Sequence, residues 1–114
     1  MKILVVCGAG ASSTFVAQRL RHAAHDAGLD CTAVAGTPQS LPIDLDDADL
    51  VLIGPHLAHA LADIEKDAAA RGAGALLLPD DVFGDLDGTR TLALVRAALE
   101  DSAARDAAMK EGNA

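Results

Sequence analysis

Tryptophan and tyrosine are absent from the 114 residues, and phenylalanine occurs twice, as Phe15 and Phe83. With 51% hydrophobic residues a core is feasible, but it must be built from Ala, Leu, Val and Ile. That composition suits helices packed on a parallel sheet. The lack of stacking rings leaves no platform for single-stranded nucleic acid. Basic residues are also few: nine Lys and Arg against 17 Asp and Glu, a formal charge of −8. They form no dense cluster, so neither a phosphate backbone nor an anionic membrane surface is an expected partner. No apolar run approaches the ~20 residues that span a bilayer. The opening Met1–Val6 carries one positive charge, and its apolar stretch is too short for a signal peptide. A cytoplasmic location is the resulting expectation. Only two cysteines occur, Cys7 and Cys31. Their spacing fits no zinc or thioredoxin-type motif, and in a reducing compartment both are expected as free thiols.

Four short apolar runs read as strands: Lys2–Val6, Cys31–Ala35, Leu50–Ile53 and Ala75–Leu78. They are continuous rather than alternating, as strands covered on both faces are. Between them lie helical spacings. Val16, Leu20, Ala23 or Ala24 and Ala27 define the buried side of a first helix that stops at Gly28. Leu57, Leu61, Ile64 and Ala68 do the same for a second, from His56 to Arg71 and closed by Gly72. A third begins near Gly88-Thr89 with Leu92, Val95 and Leu99 inward. The stretch from Gly36 to Asp49 has room for one helical turn. The predicted architecture is an open four-stranded parallel α/β sheet flanked by helices, with right-handed crossovers. Residues 1–104 form one domain, and 105–114 read as a fraying helix end and tail.

In such sheets functional groups collect at the carboxyl ends of the strands. The first such loop reads Cys7-Gly8-Ala9-Gly10-Ala11-Ser12-Ser13-Thr14 and runs straight into a helix. Small residues let backbone amides approach an anion. Ser12, Ser13 and Thr14 add hydroxyls, and the helix start adds unpaired amides with partial positive charge. Together they make a cradle for one phosphate. Cys7 stands at its edge, where the same amides are expected to favour a thiolate. A shallow, exposed sulfur is the predicted geometry.

Three known uses of such a loop fit poorly. The low-molecular-weight tyrosine phosphatases resemble this region, but they need an arginine six residues after the cysteine, and that position is Ser13. Without arginine or metal, the transferring phosphoryl group lacks its main charge clamp. A dinucleotide fingerprint fails at its third glycine, which is Ser13, and the second strand ends without an acid for a ribose. A P-loop fails because its Gly-Lys-Ser/Thr end is missing. What remains is a thiol that takes a phosphoryl group and keeps it intact for an acceptor. A cysteine-dependent phosphatase or arsenate-type reductase is the alternative, together with a phosphate-sensing binding module.

Lys2–Thr14, together with Leu52-Ile53-Gly54-Pro55-His56 and Phe83-Gly84-Asp85-Leu86-Asp87-Gly88, resembles the IIB components of phosphoenolpyruvate-dependent sugar phosphotransferase systems, lactose/cellobiose type. The resemblance extends to about Ala104. It implies a sheet of order 2-1-3-4, in the flavodoxin and tyrosine-phosphatase manner. It also implies an enzymatic role: Cys7 accepts phosphoryl from a phosphohistidine of a IIA component, and passes it to a sugar held by a membrane IIC component. Gly8, Ala9, Gly10, Ala11, Ser12, Ser13 and Thr14 would hold the phosphoryl oxygens. Ala11 stands where the family commonly has methionine, and His56 where it commonly has glutamine.

His56 opens a helix beside the loop and, with Phe83, is a candidate for a docking rim. His22, His25 and His59 read as solvent-facing. Cys31 reads as packing. Asp44, Asp46, Asp47, Asp49, Asp80 and Asp81 read as solvated loop charge, with no metal-ligand spacing. The reading calls for no metal and no cofactor.

Overall fold

The computed structural model describes residues 1–7, 10–37, 39–84 and 88–99, and gives no side-chain placement at 10–13, 42 and 83. Four strands, β1 (Lys2–Val6), β2 (Thr32–Gly36), β3 (Leu50–Ile53) and β4 (Gly74–Leu77), form one sheet in the order β2-β1-β3-β4. All three pairings are parallel, with Val6 opposite both Gly36 and Ile53. The expected order and orientation are therefore the observed ones. β2 and β4 each sit one residue from their expected bounds, a shift that follows from which residues complete the ladder rather than which are apolar.

Alternation along β1 explains the two cores. Ile3, Val5 and Cys7 point to one face and pack with Val16, Ala17, Leu20, Ala23 and Ala24 of α1 (Gly10–Asp26). Leu92 and Val95, on helical backbone over 89–99 (α4), complete that layer. Leu4 and Val6 point to the opposite face, where Leu41, Leu45, Ile64 and Ala68 cover them. These come from α2 (Leu41–Asp44), the 3-10 turn Leu45–Asp47 that follows it, and α3 (Leu61–Ala70). Burial on both sides is why the strands read as unbroken apolar runs.

Two helical expectations need correction. Ala27 is exposed rather than inward, because α1 ends at Asp26 and the chain turns at Gly28. There the left-handed φ of 72° lets Leu29 N–H reach the Ala24 carbonyl at 2.9 Å and Gly28 N–H the His25 carbonyl at 3.0 Å. The second helix does not run unbroken from His56. Pro55–Ala60 is 3-10 and bends at Leu57 (φ −104°, ψ 17°), and regular α-helix starts only at Leu61. The turn predicted between Gly36 and Asp49 is present as α2. The tail at 105–114 lies outside the described residues.

Candidate functional site

β1 delivers Cys7 to the carboxyl edge of the sheet, on the face that α1 covers. The side matters, because a one-residue slip would turn the sulfur to the α3 face, away from the start of α1. α1 begins at Gly10, three residues after Cys7, earlier than a loop ending at Thr14 implies. Gly10, Ala11, Ser12 and Ser13 are therefore the first helical residues, and a helix leaves its first four N–H groups without intrahelical partners. No acidic residue lies in that first turn, so nothing there cancels the positive end of this 17-residue helix. Gly8 and Ala9 lie outside the described residues. Thr14 is exposed.

Cys7 itself overturns the exposed-sulfur expectation. It is 3% exposed and belongs to the larger, α1-side core. Burial pushes its thiol pKa up, contrary to the lowering that the helix amides alone suggest. The cause is the loss of water around the charged form, which favours the protonated thiol. Cys31 is half-buried and also raised, first through its own burial. With Cys31→Ala to isolate the signal, iodoacetamide alkylation of Cys7 is expected to keep rising with pH beyond about 8.5, the ordinary thiol value. A plateau reached below that pH contradicts the buried thiol. Folding is coupled to the same group. The folded thiol keeps its proton to higher pH than the unfolded one, so its stabilising share is full below the unfolded pKa and is lost as pH rises through the folded one.

The neighbouring strand ends frame Cys7. On the β3 side, Gly54 N–H donates to the Val6 carbonyl at 2.8 Å, extending the ladder past Ile53. On the β2 side, Thr37 N–H and Oγ1 donate to Ser40 Oγ at 3.0 and 3.2 Å, and Ser40 Oγ–H donates to Asp44 Oδ2 at 2.6 Å. That turn and Gly54 were not among the residues singled out from sequence for the site. The signals available were the Thr-x-x-Ser spacing after a strand and the Gly-Pro pair. His56 is exposed and, with Pro55 and Asp80, lines an open hollow of about 350 Å³. Phe83 lies in the 3-10 turn Val82–Gly84 after β4. Val82 of that turn is buried in the α1-side core.

Arg19 sits over the Phe15 ring at 5.8 Å, Arg71 pairs with Asp46 at 2.8 Å, and Arg90 pairs with Asp81 at 2.7 Å. The Arg90 hydrogen bond holds the Asp81 carboxyl below its usual range. Among the described residues, no three His, Cys, Asp or Glu side chains are grouped to hold a metal, and no helix is long and apolar enough to cross a membrane.

A sequence model of the phosphotransferase-system lactose/cellobiose-specific IIB subunit matches residues 2–92. The oligo-beta-mannoside-specific EIIB component of Bacillus subtilis is 25% identical over 89 residues, spanning 78% of this chain and 86% of that protein. The lactose-specific IIB domain of Streptococcus pneumoniae superposes with a TM-score of 0.78 at 17% identity, covering 86% of this chain and 96% of that one. The cellobiose-specific IIB component of Borrelia burgdorferi gives 0.70 at 26% identity, covering 90% and 94%. With the family match running from the first strand into α4, the chain belongs to the lactose/cellobiose-specific IIB subunits, and its general role is in sugar phosphotransfer.

Proposed function

We propose that this protein is a phosphocarrier in which Cys7 Sγ takes a phosphoryl group from a phosphohistidine of a IIA partner and gives it to a sugar bound by a membrane IIC partner. The reaction runs in the cytoplasm, and Gly8 through Thr14 hold the phosphoryl oxygens. The observation that carries this reading is the combination at the end of β1: a cysteine turned toward α1, with the helix starting at Gly10. Helix N-terminal amides stabilise a phosphate dianion without supplying a route to hydrolysis. The absence of arginine at position 13 favours carrying over cleavage, since hydrolysis needs a clamp on the trigonal phosphoryl oxygens.

Burial that favours the protonated thiol fits the first step. The histidine N–P bond breaks as the S–P bond forms, and the thiol proton ends on the released imidazole, which leaves neutral. In the second step a sugar hydroxyl oxygen bonds to phosphorus, the S–P bond breaks, and the sulfur recovers a proton. No external base is needed in the first step, because the leaving nitrogen is itself basic. A β-linked disaccharide is the expected sugar, following the lactose and cellobiose names of the relatives.

Intact-mass analysis tests the first step. The protein is incubated with phosphoenolpyruvate, enzyme I, the histidine phosphocarrier and a cognate IIA. One added phosphate is expected on the wild type and none on Cys7→Ser. An unmodified wild type beside a demonstrably phosphorylated IIA refutes the carrier reading. Turnover of a chromogenic phosphate ester by the isolated protein would favour the phosphatase.

A further inference from the structure

Gly54 has φ −62° and ψ 151°, an extended conformation open to any L-residue. Its lack of a side chain is therefore not a conformational requirement. Space explains it instead. A Cβ built on Gly54 stands 2.9 Å from Cys7 Sγ and 3.1 Å from both Cys7 Cβ and Cα. Real Cβ atoms do not sit that near a sulfur, and two of the three neighbours belong to the start of the side chain and the backbone, which cannot swing away.

Gly54 is also held from yielding. Its N–H is bonded to the Val6 carbonyl at 2.8 Å, and its carbonyl accepts Leu57 N–H at 3.0 Å. Pro55 confines the preceding residue to extended ψ. The sulfur turns on one torsion, χ1, with three staggered positions. The bare Cα of Gly54 is what leaves the observed position open.

We propose that Gly54 is a positioning residue for phosphoryl transfer, the rigid and side-chain-free wall against which Cys7 Sγ is seated. In-line transfer requires sulfur, phosphorus and the leaving atom to be nearly collinear. A methyl at position 54 drives the sulfur to another rotamer, or pushes the ends of β1 and β3 apart, and either breaks that line. The inference rests on Cys7 being the phosphoryl acceptor. It goes beyond that reading by assigning the sulfur's direction to the neighbouring strand rather than to the loop.

The test is Gly54→Ala, with folding checked by circular dichroism and transfer from phosphorylated IIA measured over a range of donor concentrations. The expected result is kcat lower by about a hundredfold, the cost of an ångström-scale misplacement, with KM for the donor unchanged because the docking face is untouched. A kcat equal to wild type overturns the proposal, as does a fall that only tracks the fraction unfolded. If Gly54→Ala does not fold, Pro55→Ala replaces it, since it frees Gly54 without adding a Cβ. A lower kcat at constant KM then supports the wall, and an unchanged kcat overturns it. Alkylation of Cys7 in a Cys31→Ala background separates this inference from the carrier reading. If wild type accepts no phosphate, the carrier reading fails by itself. The alkylation rate then decides the inference, with a change of about fivefold or more in the Gly54 variant expected from a displaced sulfur, and identical rates overturning it.

Discussion

Gly88→Ala is expected to lower the melting temperature by about 10 °C or more, at about 4–8 °C per kcal/mol for a domain near this size. Gly88 has φ 76° and lies so close to α1 that a Cβ there would overlap the Arg19 carbonyl and approach Leu20 N at 3.1 Å. Two costs add. A left-handed conformation disfavours an L-residue by about 1–2 kcal/mol. Overpacking against backbone, which has no rotamer to change, adds about 1–3 kcal/mol. The carbonyl of Gly88 also accepts Leu92 N–H at 2.9 Å, so a displaced Gly88 disturbs the first turn of α4 and lifts Leu92 and Val95 from the core. Gly28→Ala is the control. Its φ is 72°, but nothing lies within 4 Å of a Cβ built there, so only the conformational cost applies. Thermal melts of the two variants isolate the contact. Equal shifts at both positions would show that α4 does not press on α1 as the geometry states.

Removing the thiol is expected to abolish phosphate uptake entirely, with Cys7→Ala and Cys7→Ser alike at background in the mass assay. The stabilities of the two variants should nevertheless differ. Cys7 is buried in an apolar cluster. A serine hydroxyl placed there and left unsatisfied costs about 1–3 kcal/mol. Alanine instead leaves a small void, at about 1 kcal/mol for a lost methyl-sized group. Cys7→Ala should therefore unfold in urea at a midpoint equal to or above that of Cys7→Ser. A clearly more stable serine variant would mean that the hydroxyl finds a partner, and hence that polar groups reach the sulfur position in the folded protein. Serine also fails chemically. Its hydroxyl is far harder to deprotonate than a thiol, so it is a weak nucleophile without an adjacent base.

Much of the architecture is legible in the sequence itself. Continuous apolar runs mark strands buried on both faces, and the strand–helix alternation leaves little choice but a parallel sheet. The helix faces built on Val16, Leu20, Ile64, Ala68, Leu92 and Val95 pack as their spacing requires. Misreadings fell where local signals were weak. Ala27 looks inward by period alone, yet Gly28 turns the chain just after it. The segment Pro55–Ala60 has helical composition, but it takes the tighter 3-10 form before α3 begins. Strand ends drifted by one residue because hydrogen-bond partners, not hydropathy, set them.

At the site, the local sequence identified a cysteine followed by small and hydroxyl-bearing residues at the start of a helix, because those properties depend on neighbours along the chain. It could not place the sulfur. Exposure, and with it the raised thiol pKa, depends on the core that Cys7 shares with residues of β1, α1 and β3. The wall at Gly54 lies 47 positions away along the chain and meets the sulfur only because β3 pairs beside β1 in register. Composition and periodicity thus determined the layers and the chemistry available, since both act over a few residues. The direction and burial of the Cys7 sulfur, and the upward push on its thiol pKa, were decided by tertiary structure alone, since they are set by contacts between segments far apart in sequence.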